Sequence, residues 1–515
     1  MTPWWKGAVL YQIWPRSFAD SDGDGVGDLV GVIERLPYLR DLGVEGVWLS
    51  PFFPSPMKDY GYDVADYRGV DPLFGDLPTF ERLIAEAHRH GLKVVIDQVY
   101  SHSSDQHAWF RESRSSRDGP YADWYVWADP KPDGTPPNNW LSVFGGPAWT
   151  WDARRRQYYL HNFLDSQPDL NFHNPDVREA VLEVAKFWLD LGVDGFRLDV
   201  ANYFVHDQNL RDNPASGTLG HARPGLFQDH LYERSRPENV DFISSFRQLL
   251  DQYEGRFAVA EIDSSRPFER SLEYTQGSER LHTAYNFQLL RARQLTPALI
   301  AETVSAWNAQ DAWPSWSISN HDVHRAVTRW SGVCDERTRA LQIAALLLSL
   351  RGTVFLYQGD ELGLPQAEVA FEDLRDPEAI RFYPADLGRD GARTPIPWNR
   401  NAPHGGFTTG EPWMPLDPRH LELAAKQQAE APDSVLSEVK TLIALRKESD
   451  ALRSGQFSVE TADASLLVID RQGTDRVCCV FNLGEDEVTV SGEGEVIAGT
   501  KATTLRPGEF TWRRV

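Results

Sequence analysis

The chain has 515 residues, with 52 Lys or Arg against 75 Asp or Glu, so its formal net charge is −23. Such a charge disfavours nucleic acid and anionic membranes as partners and suits a small neutral substrate. The three cysteines, two of them adjacent at Cys478 and Cys479, argue against a disulfide framework and fit a reducing cytoplasm. There is no membrane-length apolar run, and the residues from Met1 onward do not resemble a signal peptide. We therefore expect a cytoplasmic protein, either a monomer or a homodimer.

Strands that alternate with helices dominate most of the chain. Helical periodicity over Leu29–Leu42 ends at Gly43, and a short apolar strand lies on each side of it. This pattern recurs, and eight strands are predicted in order at residues 8–15, 44–51, 93–99, 193–200, 257–263, 283–287, 314–322 and 352–359. Repeated βα units predict a parallel sheet, and eight of them predict a (β/α)8 TIM barrel of the α/β class.

The alternation of strands and helices is interrupted at two places, and it ends before the C-terminal part of the chain. Between residues 104 and 170 the chain is rich in Trp, Pro, Gly, Asn and Asp, which predicts a small inserted domain after the third strand. The polar, Pro-rich stretch 366–430 predicts an extended loop over the barrel mouth. Short alternating strands at 466–470, 477–481, 487–491 and 510–512 predict a C-terminal antiparallel β domain. The predicted domains are the first part of the barrel at 1–103, the inserted domain at 104–170, the second part of the barrel at 171–452 and the C-terminal β domain at 453–515.

Three carboxylates follow three different predicted barrel strands: Asp199, Glu261 and Asp322. The active sites of βα barrels lie at this end of the strands. Arg197 shares a face with Asp199 and should lower its pKa, as a nucleophile requires, although this pair alone could equally be structural. Glu261 follows Phe257-Ala-Val-Ala, an apolar setting that should raise its pKa and keep it protonated. Retaining glycoside hydrolysis uses two such carboxyl groups about 5 Å apart, and Asp322 could stabilise positive charge on a sugar ring.

A further run of acids, interleaved with glycines, extends from Asp20 to Asp28. Its spacing matches the first nine positions of an EF-hand loop, although the twelfth position is Gly31 instead of Glu. We expect a structural Ca²⁺ or Mg²⁺ site here, with a solvated acidic turn as the alternative, and we expect no organic cofactor. The expected metal ligands are Asp20, Asp22, Asp24, the carbonyl of Val26, and Asp28.

Several motifs occur in a set order along the chain. They are Asp97-Gln-Val-Tyr-Ser-His102, Gln167-Pro-Asp-Leu-Asn171, Gly195-Phe-Arg-Leu-Asp199, Ala260-Glu261, Asn320-His321-Asp322 and Gly359-Asp-Glu361. Together they resemble the α-amylase superfamily of retaining glycoside hydrolases, in particular its bacterial α-glucosidase and oligo-1,6-glucosidase branch, over essentially the whole chain. The resemblance implies that Asp199 is the nucleophile, Glu261 the acid/base and Asp322 the transition-state stabiliser. It also implies a structural metal in the aspartate loop, distant from catalysis.

The resemblance also implies which residues hold the terminal glucose. Asp59 and Tyr62 match an Asp that bonds the terminal hydroxyls and closes the pocket, and a Tyr that stacks on the sugar ring. Arg393 matches an arginine that pairs with that Asp, with a structural salt bridge as the alternative. The further substrate contacts that we expect are His102, Arg197 and His321.

The sequence therefore predicts an exo-acting α-glucosidase that cleaves short neutral oligosaccharides by double displacement and transfers glucose to sugar or alcohol acceptors. The cues to linkage conflict, because Val200 is similar to α-1,6 enzymes, whereas 201–207 and 211–223 are more similar to α-1,4 enzymes. We take α-1,4 as the preferred linkage. An isomerase or glucosyltransferase of sucrose or maltose is the nearest alternative. A non-catalytic subunit, similar to the glucosidase-shaped ectodomains of transporter heavy chains, is disfavoured because those lack the full acid set.

Overall fold

The computed structural model of the chain describes residues 2–218, 223–308, 310, 312–461, 464–490 and 493–515. At its centre lies an eight-stranded parallel sheet in which strands that neighbour one another in the chain are also paired. The first strand pairs with the eighth, and a parallel bridge between Tyr285 and Ser315 joins the sixth strand to the seventh, so the sheet closes. The strands are Val9–Ile13, Gly46–Leu49, Lys93–Gln98, Gly195–Leu198, Phe257–Ala260, Thr283–Ala284, Ser315–Trp316 and Thr353–Tyr357. The predicted (β/α)8 barrel is confirmed.

A layer of helices surrounds this barrel, one after each strand. The helix at Leu29–Leu42 agrees with its prediction, since Asp28 caps its first turn and Gly43 ends it in the left-handed conformation, with φ of 93°. The eight helices of this layer are Leu29–Leu42, Leu77–Arg89, Pro175–Asp190, Asn239–Leu250, Pro267–Thr275, Pro297–Asn308, Glu336–Ser349 and Val435–Glu448. Their apolar faces pack on the outer face of the sheet and form the main core.

The register of the central strands brings together the side chains of the candidate site. Asp97 on the third strand lies opposite Arg197 on the fourth, and Arg197 lies opposite Val259 on the fifth. The fifth strand ends at Ala260, so Glu261 leaves the sheet directly beside Asp199. Because side chains alternate along a strand, this register turns Arg197 and Asp97 to the same side of the sheet.

Two smaller sheets accompany the barrel. In the inserted stretch, Trp127–Ala128, Trp149–Asp152 and Gln157–Leu160 form an antiparallel sheet after the helix Ala108–Ser115. Near the C-terminus, an antiparallel sheet contains Gln456–Thr461, Leu466–Gln472, Arg476–Asn482, Glu495–Gly499 and Phe510–Arg514, and Val488–Thr489 pairs separately with Thr504–Leu505. The predicted strand 487–491 is thus shorter than expected, and Ser491 lies outside the described residues. The domain boundaries stay a prediction.

The segment 366–430 is more ordered than the extended loop that we expected. It contains the short helices Pro377–Phe382, Pro418–Glu422 and Ala425–Ala429. Between the first two of these helices the chain returns to the barrel mouth and brings Arg389 and Arg393 to the acids there. Other short helices are Phe287–Leu290, Ala326–Arg329 and Asp450–Ser454. In the part of the chain that the structure describes, we find no helix of the length and apolar character that crossing a membrane requires.

Candidate active site

One buried guanidinium organises the acids at the carboxyl ends of the barrel strands. Nη1 of Arg197 donates to Asp97 at 2.7 Å and to Asp199 at 2.5 Å, and Nη2 donates to Glu261 at 2.6 Å. The Arg197 side chain is 1% exposed, so these are charge-assisted bonds in a poorly solvated place. Asp199 and Glu261 therefore lie on the two arms of one planar fork, and both face the barrel mouth.

Burial raises the pKa of both carboxyl groups. It raises the pKa of Glu261 to about 8 and that of Asp199 to about 7, while Arg197 opposes both shifts. The prediction that Glu261 holds a proton near neutral pH is thus confirmed in direction. Arg197 lowers the pKa of Asp199, as predicted, but the cost of desolvation is larger, so the net pKa lies above the ordinary value.

The backbone after Asp199 is strained. Val200 has φ of 33° and ψ of 52°, which is a left-handed conformation that β-branched residues rarely adopt. In this conformation its amide donates to Oε2 of Glu261 at 3.1 Å. A residue held in this way beside two acids is typical of a functional site.

Asp322 is linked to Arg197 through a chain of side chains. Tyr62 donates from its hydroxyl to Asp97 at 3.0 Å, and Nε2 of His321 approaches the Tyr62 hydroxyl at 2.6 Å and Asp322 at 3.0 Å. Nδ1 of His321 accepts from the Gln12 amide at 2.8 Å, so the ring proton lies on Nε2. Burial lowers the pKa of His321 to about 4, which leaves the ring neutral at pH 7.

Asp59 closes one end of the same group. Its carboxylate accepts from Nη2 of Arg389 and from the Gln167 amide, each at 3.1 Å. Nη1 of Arg389 also reaches Asp322 at 3.2 Å. Burial raises the pKa of Asp59 to about 6, against the effect of Arg389. Arg389 thus joins Asp59 to Asp322, as Arg197 joins Asp199 to Glu261.

The predicted ion pair between Arg393 and Asp59 is wrong. Arg393 donates instead to Asp322 at 3.0 Å and to the carbonyl of His321 at 2.8 Å, and the direct ion-pair partner of Asp59 is Arg389. The reason is the short 3-10 helix between the two arginines, which turns both towards the mouth but anchors Arg393 over the ring of Trp14 at 4.8 Å. Together with His321, the two arginines hold the pKa of Asp322 well below its ordinary value, although burial alone would raise it.

The remaining expected substrate residues occupy the floor of the site. The Tyr62 ring stacks on His321 with ring centroids 5.2 Å apart. His102 is buried, and its Nε2 donates to the Tyr62 carbonyl at 3.1 Å while its Nδ1 accepts from Ser101. Both nitrogens of His102 are thus engaged by the protein, which makes it a support for Tyr62 in this structure.

The aspartate loop brings three of its expected metal ligands together. Carboxylate oxygens of Asp20, Asp22 and Asp28 lie within 4.8 Å of one another, which suits a hard cation. Asp24 lies outside this group, and its carboxylate accepts from the Val26 amide at 2.8 Å. The set therefore fits a cation, with three carboxylates instead of the four that we expected.

Sequence reasoning missed two polar side chains of the site. Asp97 was read only as part of a motif, although its place opposite Arg197 in parallel register is a detectable signal. Arg389 was overlooked because Arg393, four residues later, matched the same description. No signal in the sequence alone distinguishes which of these two arginines reaches Asp59.

Comparison with known proteins agrees with this fold and this group of acids. The family described as "Alpha amylase, catalytic domain" matches residues 12–455. The chain therefore belongs to the alpha-amylase catalytic domain family, whose members carry this barrel.

Individual relatives match over nearly the full length. A "Probable alpha-glucosidase" of Rhizobium meliloti (strain 1021) is 51% identical over 498 residues, which cover 94% of this chain and 90% of that protein. An "Oligo-1,6-glucosidase" of Heyndrickxia coagulans is 37% identical over 529 residues, covering 95% and 94%. The crystal structure of the "alpha-glucosyl transfer enzyme, XgtA" is 50% identical, covers 100% of both chains and superposes with a TM-score of 0.96.

Proposed function

We propose that this protein is an exo-acting α-glucosidase that hydrolyses terminal α-linked glucose from short neutral oligosaccharides with retention of configuration. One observation carries the proposal: Asp199 and Glu261 bond to the two arms of one buried guanidinium, which brings the two carboxyl groups together at the barrel mouth. Two carboxyl groups about 5 Å apart, one ionised and one protonated, are the requirement of a retaining mechanism. The similarity to a probable α-glucosidase supports the substrate class.

The proposed reaction proceeds in two displacements. In the first, a carboxylate oxygen of Asp199 attacks the anomeric carbon while the glycosidic carbon–oxygen bond breaks and Glu261 gives its proton to the leaving oxygen. In the second, Glu261 takes a proton from water, and this water displaces Asp199 from the β-glucosyl ester. Asp322, ionised between Arg393 and Arg389, stabilises positive charge on the ring in both steps.

The pocket end formed by Asp59 accounts for exo-action. Its carboxylate and the Arg389 guanidinium offer an acceptor and donors side by side, the pairing that a sugar hydroxyl needs. Tyr62 offers an aromatic face beneath a ring bound there. A longer chain beyond the terminal glucose would meet the ion pair, so we propose that only non-reducing ends enter.

Three further parts of the proposal concern linkage, acceptors and cation. α-1,4 bonds are the proposed preference, with α-1,6 as the rival that Val200 and the oligo-1,6-glucosidase relative favour. Sugar or alcohol acceptors replace water in the second displacement, in line with the similarity to a glucosyl transfer enzyme. Asp20, Asp22 and Asp28 would hold Ca²⁺ or Mg²⁺, which would neutralise their charges and brace the loop against Thr408. A cytoplasmic location completes the proposal.

The test is the initial rate of glucose release from maltose and from isomaltose, with the products separated over time and the anomer of the first glucose read by NMR. We expect α-glucose from both substrates, faster from maltose, with transfer products at high substrate concentration. Faster release from isomaltose would reverse the linkage preference. New disaccharides without net glucose would indicate an isomerase, and β-glucose as the first product would refute the retaining mechanism.

A further inference from the structure

Two Arg-Asp dipeptides hold each other in a reciprocal arrangement, which we call the Arg-Asp clasp; it consists of Arg375-Asp376 and Arg389-Asp390. Oδ2 of Asp390 accepts from the amides of Arg375 at 2.6 Å and Asp376 at 2.8 Å. Oδ2 of Asp376 accepts in return from the amide of Arg389 at 2.8 Å. Each aspartate thus restrains the backbone of the other dipeptide, and the residues between them form a closed loop.

Asp376 also holds the side chain of Arg389. Its Oδ2 accepts from Nε at 3.0 Å, and its Oδ1 accepts from Nη2 at 2.7 Å and from the Glu378 amide at 3.0 Å. The Asp376 side chain is 0% exposed, so this two-pronged pairing is shielded from water. Bidentate, charge-assisted pairs of this kind set the direction of a guanidinium as well as its charge.

The held guanidinium is the one that reaches the candidate active site. Nη2, which Asp376 holds, also donates to Asp59, and Nη1 donates to Asp322. These outer contacts, at 3.1 and 3.2 Å, are longer than the 2.7 Å bond to Asp376. Asp376 therefore holds Arg389 from one side, and on the other side the guanidinium donates to Asp59 and Asp322 at the candidate active site.

The turn before Arg389 leaves little room for adjustment. Gly388 has φ of 64°, and a Cβ there would lie 2.5 Å from Oδ2 of Asp376 and 2.4 Å from Cβ of Ala379. Nε2 of His324 lies 3.2 Å from the Gly388 carbonyl, which ties this turn to the segment that follows Asp322. Through His324, the clasp therefore contacts the segment that carries Asp322.

We propose that Asp376 is the positioning residue for Arg389: through the clasp it holds the guanidinium between Asp59 and Asp322 and so sets the affinity for the terminal sugar without touching it. The identity of the ligand as a sugar rests on the proposed function, whereas the positioning itself does not. Arg389 lowers the pKa of Asp59 by more than the nearby Asp376 charge raises it, so displacement of Arg389 outweighs the loss of that charge and makes Asp59 harder to ionise.

The test compares Asp376→Asn with Asp386→Asn in the full-length protein. Asp386 is the control because it lies in the loop that the clasp closes and pairs with Arg223 at 2.7 Å, and both changes remove one negative charge. Its Oδ1 accepts from the Gly388 amide at 2.9 Å, and the oxygen of Asn can keep this bond. On whichever disaccharide the wild type cleaves, we expect the KM of Asp376→Asn to rise at least about tenfold with kcat within about threefold. We expect the Asp386→Asn values to stay within about twofold of wild type.

Two readouts separate positioning from a merely structural role. The KM defect of Asp376→Asn should shrink as the pH rises from 5.5 to 7.5, since the displaced Arg389 leaves Asp59 protonated at the lower pH. In an Arg389→Met background the same Asp376→Asn change should alter KM less than about twofold, because the guanidinium that Asp376 acts through is absent. A KM within twofold of wild type, or an equal effect in both backgrounds, would overturn the proposal.

Different results distinguish a variant that fails to fold from a failure of the proposed function. If Asp376→Asn does not fold, Asp376→Glu keeps the charge but shifts the carboxylate, and we expect an intermediate rise in KM with the same pH trend; its absence overturns the proposal. A wild type inactive on every sugar would refute only the proposed function. A crystal structure of Asp376→Asn in which Arg389 still bonds to both Asp59 and Asp322 would refute only the positioning.

Discussion

Replacement of Arg197 by Met tests whether one buried charge balances the acids of the site. In the folded protein its guanidinium bonds to Asp97, Asp199 and Glu261 within 2.7 Å and is 1% exposed. Met fills most of the volume but brings no charge. Removing one partner of a buried ion pair leaves the other uncompensated, which typically costs about 3–5 kcal/mol. We therefore expect a large loss of stability at pH 8.

The size of this loss should depend on pH in a defined direction. Burial raises the pKa of Asp97 to about 6 and of Asp199 to about 7, even with Arg197 present. Without it both pKa values rise further, so the folded state binds more protons than the unfolded chain, and stability falls as the pH rises. A further shift of about one unit for each aspartate is about 1.4 kcal/mol each. Because the raised pKa of Asp199 then lies close to 8, its effect is only partly expressed at pH 8, and the penalty should grow by about 2 kcal/mol between pH 5.5 and pH 8.

The assay is urea unfolding at both pH values, monitored by tryptophan fluorescence, for Arg197→Met and for Arg446→Met. Arg446 is the matched control because it is equally buried but donates to backbone carbonyls, among them those of Leu348 and Gly352, each at 2.6 Å. Its replacement should cost stability by an amount that differs little between the two pH values. A penalty for Arg197→Met that is the same at pH 5.5 and pH 8 would refute the charge-balance reasoning.

Three other outcomes are expected. Asp199→Asn should lower turnover at least about 10³-fold without loss of folding, because the attacking carboxylate is gone; a rate within tenfold of wild type would remove the nucleophile assignment. The pH profile of kcat/KM should be bell-shaped: it should fall below about pH 7 as Asp199 gains a proton, and above about pH 8 as Glu261 loses one. If the basic limb persists in Glu261→Gln, the acid is another residue. Chelation should lower the melting temperature more than it lowers the activity per folded molecule, because the Asp20 loop lies against the segment at Phe407. An unchanged melting temperature, with no metal found by elemental analysis, would contradict the proposed cation.

The sequence by itself determined the barrel and the identity of its acids. Helix ends such as Gly43 and apolar runs such as Phe257–Ala260 are local patterns, so they can be recognised in the sequence without knowing the fold. Asp199, Glu261 and Asp322 each follow a recognisable strand, so the (β/α)8 topology alone gathers them at one end. The short strands Gln456–Thr461 and Glu495–Gly499 escaped prediction, since their pairing partners rather than their own pattern make them strands.

Only the tertiary structure decided how charges meet across the site. Arg389 and Arg393 are alike in sequence, and packing of Arg393 over Trp14 leaves Arg389 as the partner of Asp59. Asp376 is distant in the chain from the acids that it serves through Arg389. The pKa of Asp199 likewise depends on burial, which no neighbour in sequence reports. Desolvation and ion pairing depend on distances between segments far apart in the chain, and those distances exist only once the fold has formed.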